Sequence, residues 1–159
     1  MCGFVGVFDY KNKVKDFESI LWKMNDEIHH RGPDNGNIHI HDNLGLGFRR
    51  LSILDLSSDG NQPMKVMEDR YVIVFNGEIY NYVELKNKLI EEKGIDFRTG
   101  TDTEVIVHLY HQYGEKCLDL LNGMFVFVVY DKLSGNVFIA RDRLGVKPLF
   151  LYKDDEKIA

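Results

Sequence analysis

The chain begins Met1-Cys2-Gly3-Phe4-Val5-Gly6-Val7-Phe8. Its apolar part, residues 4–8, is short and broken only by one glycine, which predicts a buried β-strand. A strand at this position would hold the N-terminus in a sheet. The opening residues therefore predict a sheet with a cysteine at the very start of one of its strands.

Cys2 is a candidate nucleophile because of its position. A small second residue favours removal of Met1, which would leave a thiol and a free α-amine on the same residue. An α-amine has a pKa of about 7.7–8.0, so it is partly neutral near pH 7 and can act as a base for the thiol. N-terminal threonine nucleophiles use the same arrangement. Position alone favours an unreactive small residue at a frayed terminus.

Composition predicts one globular domain. The chain has 159 residues, of which 44% are hydrophobic and 28% charged, enough for a core and unlike a disordered segment. The net charge of −5 gives no sign of a nucleic-acid or acidic-membrane partner. No apolar run reaches spanning length, and no charged segment precedes residues 2–8 as in a signal peptide. With Cys2 and Cys117 as its two cysteines, the chain is not expected to form a disulfide framework, and a reducing cytoplasm would keep Cys2 as a thiol.

The hydrophobic pattern predicts an α+β layered fold. Strands are predicted at residues 4–8, 44–48, 71–75, 124–130 and 137–140, and a turn at Asn76-Gly77. Helices are predicted at residues 16–30, from Tyr82 to Gly94, and from a capping box at Thr101-Asp102-Thr103-Glu104 to near Gly114. Residues 149–152 look like a further strand and 153–157 like a turn. Because Ile158-Ala159 then begins another apolar segment, we expect a domain cut from a longer polypeptide.

Several polar segments stand out beside Cys2 and carry a family resemblance. They are Arg31-Gly32-Pro33-Asp34, Arg49-Arg50-Leu51-Ser52-Ile53-Leu54-Asp55, Asn61-Gln62-Pro63-Met64, Asn76-Gly77-Glu78-Ile79-Tyr80-Asn81 and Thr101-Asp102-Thr103-Glu104. In this order behind an N-terminal cysteine, and continued to residues 141–150, they resemble the glutaminase domain of the N-terminal-nucleophile (class II) glutamine amidotransferases. The branch most similar is glutamine-hydrolysing asparagine synthetase. The resemblance implies a four-layer αββα sandwich of two antiparallel sheets between helices.

The resemblance also implies the catalytic groups. Cys2 would attack the side-chain amide of glutamine and form a thioester, which water then cleaves to glutamate. The Asn76 side-chain amide and the Gly77 N–H would bind the developing oxyanion. Glycine suits this task because it permits close approach of the substrate to the backbone.

Substrate-binding residues follow from the same resemblance. Arg50 matches the ligand of the glutamine α-carboxylate, and a guanidinium makes a bidentate, charge-assisted pair with such a group. Asp102 matches the ligand of the α-ammonium. Backbone groups of Leu51, Ile53 and Glu78 are expected to line the rest of the pocket. Because successive strand side chains face opposite ways, Arg49 is predicted to be a solvated surface residue.

The implied partners and cofactors lie mostly outside the chain. Residues 1–159 are expected to be the N-terminal part of a cytoplasmic protein with an ATP-dependent C-terminal synthetase domain. That domain would use ATP and Mg²⁺ to amidate aspartate, whereas this one needs glutamine and no cofactor. The family also allows a homodimer of the full-length protein. The histidines lack a metal-ligand pattern, so no metal site is predicted, and Cys117 is predicted to be a buried apolar residue.

Three alternatives remain open at this stage. The domain could serve another acceptor, such as a sugar or a different carboxylic acid. It could be a catalytically silent interaction module, against which the presence of Cys2, Arg50, Asn76, Gly77 and Asp102 argues. It could also be another N-terminal-nucleophile amidase, but Arg50 and Asp102 together suit a free amino acid.

Overall fold

The computed structural model describes residues 2–51 and 60–159, and in these ranges the chain has eight β-strands and three α-helices. The helices are α1 (Phe17–Glu27), α2 (Tyr82–Lys93) and α3 (Asp102–Tyr113). The strands are β1 (Gly3–Asp9), β2 (Asn35–His41), β3 (Leu44–Arg50), β4 (Met64–Val66), β5 (Tyr71–Ile79), β6 (Gly123–Asp131), β7 (Asn136–Arg141) and β8 (Lys157–Ile158). Short 3₁₀ segments follow α1 at His29–Arg31 and α3 at Gly114–Asp119.

The strands form two antiparallel sheets with helices on their outer faces. The first sheet has the order β2-β3-β1-β8 and the second the order β4-β5-β6-β7. Helix α1 packs against the first sheet, while α3 packs against β4 and β5 of the second sheet and α2 packs beside α3. The layers therefore run helix, sheet, sheet, helix, and the predicted αββα architecture is confirmed.

Successive side chains of β5 point into two different hydrophobic cores. Tyr71, Ile73 and Phe75 belong to the core under α2 and α3, whereas Val72 and Val74 belong to the core between the two sheets. Successive strand side chains point to opposite faces, so the residue after Phe75 points between the sheets. The side chain of Asn76 therefore lies at one end of the core between the two sheets.

The predicted turn at Asn76-Gly77 is wrong, because β5 runs through both residues to Ile79. Gly77 pairs with Phe125 on β6, and the two backbones approach closely at that point. A Cβ atom built on Gly77 would lie 2.2 Å from the carbonyl oxygen of Met124. The glycine is therefore needed for this strand contact, and the Asn-Gly dipeptide does not form a hairpin here.

The predicted strand at residues 149–152 is also wrong. Residues 149–151 are irregular, and the side chain of Phe150 is 87% exposed. Pairing begins only at Tyr152, whose N–H and carbonyl both bond to Ala159, and at the Lys153–Ile158 bridge. A strand needs a partner strand, and in the described part of the chain residues 149–151 have none, whatever their apolar character.

The capping box starts a helix at the predicted place but does not act as a cap. Thr101 is the N-cap of α3 and makes no side-chain cap hydrogen bond. The Glu104 carboxylate instead accepts hydrogen bonds from the N–H groups of Arg98 at 2.9 Å and Thr99 at 2.6 Å. The side chain therefore fastens the preceding loop to the helix.

Candidate active site

The ends of β1 and β3 bring Cys2 into contact with Leu51. The N–H of Leu51 donates to the Cys2 Sγ at 3.4 Å, and the thiol lies 3.6 Å from the Leu51 carbonyl oxygen. Strand pairing sets this contact, because Gly3 lies opposite Arg49 in the register. The half-buried thiol is therefore held at the edge of the inter-sheet core by the backbone of a predicted pocket residue.

Arg50 and Arg49 point to opposite sides of the first sheet. Arg50 follows the alternation of Leu46 and Phe48, whose side chains lie in the core between the sheets. It is 8% exposed, and its Nη1 donates to the Asn61 Oδ1 at 2.6 Å. Cys2 packs against the same core, so Arg50 and Cys2 share one face of the sheet.

Arg49 lies on the other face, against α1, and the prediction that it is a solvated surface residue is wrong. Its Nε donates to the carbonyl oxygen of Asn25 at 3.1 Å, and its Nη2 pairs with the Asp26 carboxylate. The side chain is only 12% exposed. Alternation along β3 places the two arginines on opposite faces of the sheet, and α1 covers the face on which Arg49 lies.

Asn76 faces the first sheet from the second. It is 7% exposed and has the same side-chain direction as Val72 and Val74. A cavity of about 400 Å³ between the sheets is bounded by Asn76 and, across it, by Gly3 and Phe4. Gly77 and Glu78 follow Asn76 on β5 and are partly exposed. Three of the predicted site residues thus lie at the end of this one strand.

Asp102 is the first residue of α3 and lies beside the same end of β5. Its Oδ2 accepts a hydrogen bond from the N–H of Ile79 at 3.1 Å, and the residue is 6% exposed. Burial raises the pKa of the Asp102 carboxyl to about 6, and the nearby Glu78 adds to this effect while the Ile79 hydrogen bond opposes it. A buried carboxyl of this kind gains from a cation placed next to it.

Two features predicted from the sequence lie outside the described residues. These are the pocket residue Ile53 and the state of Met1, on which the free α-amine depends.

Asn61 and Gln62 are polar residues to which sequence reasoning assigned no function. Asn61 bonds to Arg50, as described above. Gln62 is 6% exposed, and its Oε1 accepts a hydrogen bond from the N–H of Phe75 at 2.6 Å. The sequence signal was present, since two amide side chains precede Pro63 in one of the polar segments, but it indicates only a loop when read alone.

The second cysteine lies in a different environment from that of Cys2. Cys117 is fully buried, and burial raises the pKa of its thiol to about 12. Among the described residues, His, Cys, Asp and Glu form no group of three or more that could hold a metal ion.

No helix of residues 2–51 and 60–159 has both the length and the apolar character to cross a membrane.

The arrangement has the components of an acyl-transfer site for a small zwitterion. A thiol and a guanidinium lie on the inner face of the first sheet, a buried amide on the second sheet faces them, and a buried carboxylate lies beside the end of the strand that carries the amide. A nucleophile with nearby oxyanion donors supports attack on a carbonyl. The two opposite charges suit a substrate that carries both a carboxylate and an ammonium.

Comparison with solved structures agrees with the fold. The glutamine phosphoribosylpyrophosphate amidotransferase from B. subtilis, complexed with ADP and GMP, superposes with a TM-score of 0.78 at 19% sequence identity. The match covers 99% of this chain and 41% of that one. At this identity the likeness concerns the fold alone.

Comparison with curated sequences identifies closer relatives. Asparagine synthetase [glutamine-hydrolyzing] 1 of Bacillus subtilis is 45% identical over 152 residues, covering 94% of this chain and 24% of that protein. A putative asparagine synthetase [glutamine-hydrolyzing] 2 of Methanocaldococcus jannaschii is 45% identical over 172 residues, covering 97% and 32%. The enzyme of Zea mays is 40% identical over 151 residues, covering 95% and 25%. The chain thus spans about a quarter to a third of the length of these relatives.

The family model described as the glutamine amidotransferase domain matches residues 1–159, the whole chain. This match agrees with the sequence motifs, with the αββα layers and with the likeness to asparagine synthetases. The chain therefore belongs to the family of glutamine amidotransferase domains.

Proposed function

We propose that this domain hydrolyses the side-chain amide of free glutamine to glutamate and ammonia, with Cys2 as the nucleophile. The observation that carries the proposal is the position of the Cys2 thiol. The thiol accepts a hydrogen bond from the Leu51 N–H at the edge of the inter-sheet core. It lies on the same face of the first sheet as Arg50 and faces the sheet that contains Asn76. Family membership supports the reaction class.

The proposed chemistry is acyl transfer in two steps. After removal of Met1, the α-amine of Cys2 takes the thiol proton while Sγ bonds to the amide carbon of glutamine. The Asn76 amide and the Gly77 N–H stabilise the oxyanion, and loss of one such donor costs about 2.7–4 kcal/mol in comparable sites. The amine returns the proton as the C–N bond breaks and ammonia leaves. Water then cleaves the thioester to give glutamate and the free thiol.

The proposed substrate recognition uses charge. Arg50 binds the α-carboxylate and Asp102 the α-ammonium, while backbone groups of Leu51, Ile53 and Glu78 complete the pocket. Because glutamine within a polypeptide lacks both charges, this pair would restrict the enzyme to the free amino acid. The burial of Asp102 supports its role, since an ammonium would offset the cost of ionising a buried carboxyl.

The proposed context is an asparagine synthetase. Residues 1–159 would form the glutaminase domain of a longer cytoplasmic protein whose synthetase domain uses ATP and Mg²⁺ to amidate aspartate with the ammonia. Support comes from the relatives, which are named glutamine-hydrolysing asparagine synthetases and are three to four times the length of this chain. Assembly of the full-length protein as a homodimer belongs to the same proposal.

The first test is an intact mass followed by a glutaminase assay on the same sample. We expect a mass without Met1 and glutamate release that disappears in Cys2→Ala but persists in Cys117→Ala, the matched control at the other cysteine. A processed terminus without glutamate release in the wild type would contradict the proposed hydrolysis by this domain. Activity that survives in Cys2→Ala would contradict the assignment of the nucleophile.

The acceptor is tested on the full-length protein. With glutamine, ATP and Mg²⁺ present, asparagine should form only when aspartate is added. Formation of a different amidated product from another acid or a sugar would replace aspartate as the acceptor and leave the glutaminase proposal intact.

A further inference from the structure

Gln62 occupies a point where strand pairing stops. β4 pairs with β5 from Met64 opposite Ile73 to Val66 opposite Tyr71, so an extended β4 would place residue 62 opposite Phe75. The chain leaves the sheet before that point, but the Gln62 side chain takes over the missing hydrogen bond. Its Oε1 accepts from the N–H of Phe75 at 2.6 Å.

The same side chain reaches the helix that carries Asp102. The Gln62 Nε2 lies 3.4 Å from the Thr103 Oγ1, and Gln62 and Thr103 are both buried. Phe75 directly precedes Asn76, and Thr103 directly follows Asp102. One side chain thus connects the backbone next to the proposed oxyanion donor with the residue next to the proposed ammonium ligand.

Asn61 extends this connection to a third element. Its Oδ1 accepts a hydrogen bond from the Arg50 Nη1 at 2.6 Å, at the end of β3. Two consecutive amide side chains therefore bond to groups on or beside β3, β5 and α3. These are the elements that present Arg50, Asn76 and Asp102.

From this geometry we infer that Asn61 and Gln62 are positioning residues of the glutaminase site, an inference that rests on the proposed function. Gln62 fixes the backbone of β5 so that the Asn76 amide meets the oxyanion. Asn61 holds the guanidinium of Arg50 in the orientation that binds the α-carboxylate. Neither residue touches the reacting atoms.

The two roles predict different kinetic effects. Oxyanion stabilisation operates in the transition state, so a displaced Asn76 should lower kcat, whereas a displaced carboxylate ligand should raise KM. Loss of an oxyanion donor costs roughly 10²–10³ in kcat, and misplacement of one should cost less. We therefore expect Gln62→Met to lower kcat about 10- to 100-fold. Asn61→Ala should raise KM for glutamine about tenfold with kcat within about twofold of the wild type.

Two further variants separate positioning from general damage to the fold. In Gln62→Glu a carboxylate oxygen can still accept from the Phe75 N–H, and the Thr103 hydroxyl can donate to it. The kcat of Gln62→Glu should be at least about tenfold higher than that of Gln62→Met, because the carboxylate restores the hydrogen bond to β5. Gln112→Met is the matched control, since Gln112 is an exposed glutamine on α3, and it should leave both kcat and KM unchanged.

Amide hydrogen exchange tests the inference without relying on activity. Loss of the Gln62 acceptor should speed exchange of the Phe75 N–H at least about tenfold in Gln62→Met and leave it unchanged in Gln112→Met. Wild-type values of kcat or of Phe75 exchange in Gln62→Met would overturn the inference. A wild-type protein that releases no glutamate would contradict the proposed function instead, and exchange at Phe75 would then decide by itself whether Gln62 holds β5.

Discussion

Asp102 and Glu104 are two buried carboxyls on the first turn of α3 whose ionisation differs sharply. Burial raises the pKa of Asp102 to about 6, because its backbone hydrogen bonds, of which the one from Ile79 has the largest effect, do not offset the loss of water. Burial also disfavours ionisation of Glu104, but the nearby imidazole of His108, whose Nε2 lies 3.7 Å from the carboxylate, and hydrogen bonds from Thr99 and Arg98 outweigh it and lower the pKa to about 2. Glu104 is thus stabilised as a structural anion, while Asp102 lacks full compensation in the absence of a bound cation.

Asp102→Asn should therefore stabilise the protein at neutral pH. A folded pKa raised from 3.8 to about 6 means that ionisation of Asp102 costs stability progressively as pH rises through this interval. The asparagine keeps an acceptor for the Ile79 N–H, so we expect a gain of about 1–3 kcal/mol at pH 7.5. Urea unfolding at pH 7.5 and pH 4 measures it, with the exposed Asp96→Asn as control. A gain that does not shrink at the lower pH would contradict this explanation.

The same carboxyl should shape the pH dependence of glutamine hydrolysis. Below about pH 6 Asp102 becomes protonated and can no longer pair with the α-ammonium. The α-amine of Cys2 also titrates, with an ordinary pKa of about 7.7–8.0, so log kcat/KM should rise with a slope close to one around pH 7. Well below pH 6 we expect the slope to approach two in the wild type and one in Asp102→Asn. Equal slopes in the two proteins would exclude Asp102 from substrate binding.

At the scale of elements, the end of β5 is where strand pairing and the candidate site coincide. The strand carries Asn76, Gly77 and Glu78 and remains paired with β6 throughout. Gln62 supplies one hydrogen bond beyond the end of β4, and Asp102 accepts another from Ile79. The strand end is therefore held by β6 along one edge and by two buried side chains elsewhere, which suits a segment that must present donors in a fixed position.

Gly77→Ala should destabilise the protein because the new methyl group has no room. Its Cβ would lie 2.2 Å from the Met124 carbonyl oxygen and 2.7 Å from the Phe125 Cα, which are backbone atoms that cannot rotate away. We expect a loss of more than about 2 kcal/mol in the free energy of unfolding. Gly100→Ala is the control, since among the described residues, apart from its chain neighbours, no heavy atom lies within 4 Å of its added Cβ. A loss equal to that of the control would show that β5 and β6 can separate without cost.

At the scale of the whole molecule, the two stacked sheets form the candidate site by bringing distant parts of the chain together. Cys2 and Arg50 come from one sheet and Asn76 from the other, while Asp102 comes from a helix on the outer face of the second. Apolar side chains of both sheets pack between them. At the far end of this layer, the Tyr130 hydroxyl on β6 lies 3.0 Å from the His41 Nδ1 on β2 and adds a polar link.

Tyr130→Phe removes that link without changing the shape of the core. Tyr130 is 3% exposed, and without its hydroxyl the His41 Nδ1 would lose this hydrogen-bond partner. We expect a loss of about 0.5–1.5 kcal/mol in the free energy of unfolding, measured in urea. Tyr113→Phe, at a more exposed tyrosine, should change it by less. An unchanged stability in Tyr130→Phe would mean that apolar contacts alone hold the sheets together at this end.

The sequence by itself determined the layered class, the helix positions and the candidate residues, because these depend on local periodicity and on motifs read in order. Tertiary structure decided what depends on partners distant in the chain. Asn76-Gly77 continues a strand because β6 lies beside it, Arg49 is covered because α1 packs over it, and residues 149–151 form no strand because none pairs with them. Likewise, only the fold gave Asn61 and Gln62 their partners on three separate elements. A hydrogen bond depends on which groups meet in space, and local sequence does not specify that.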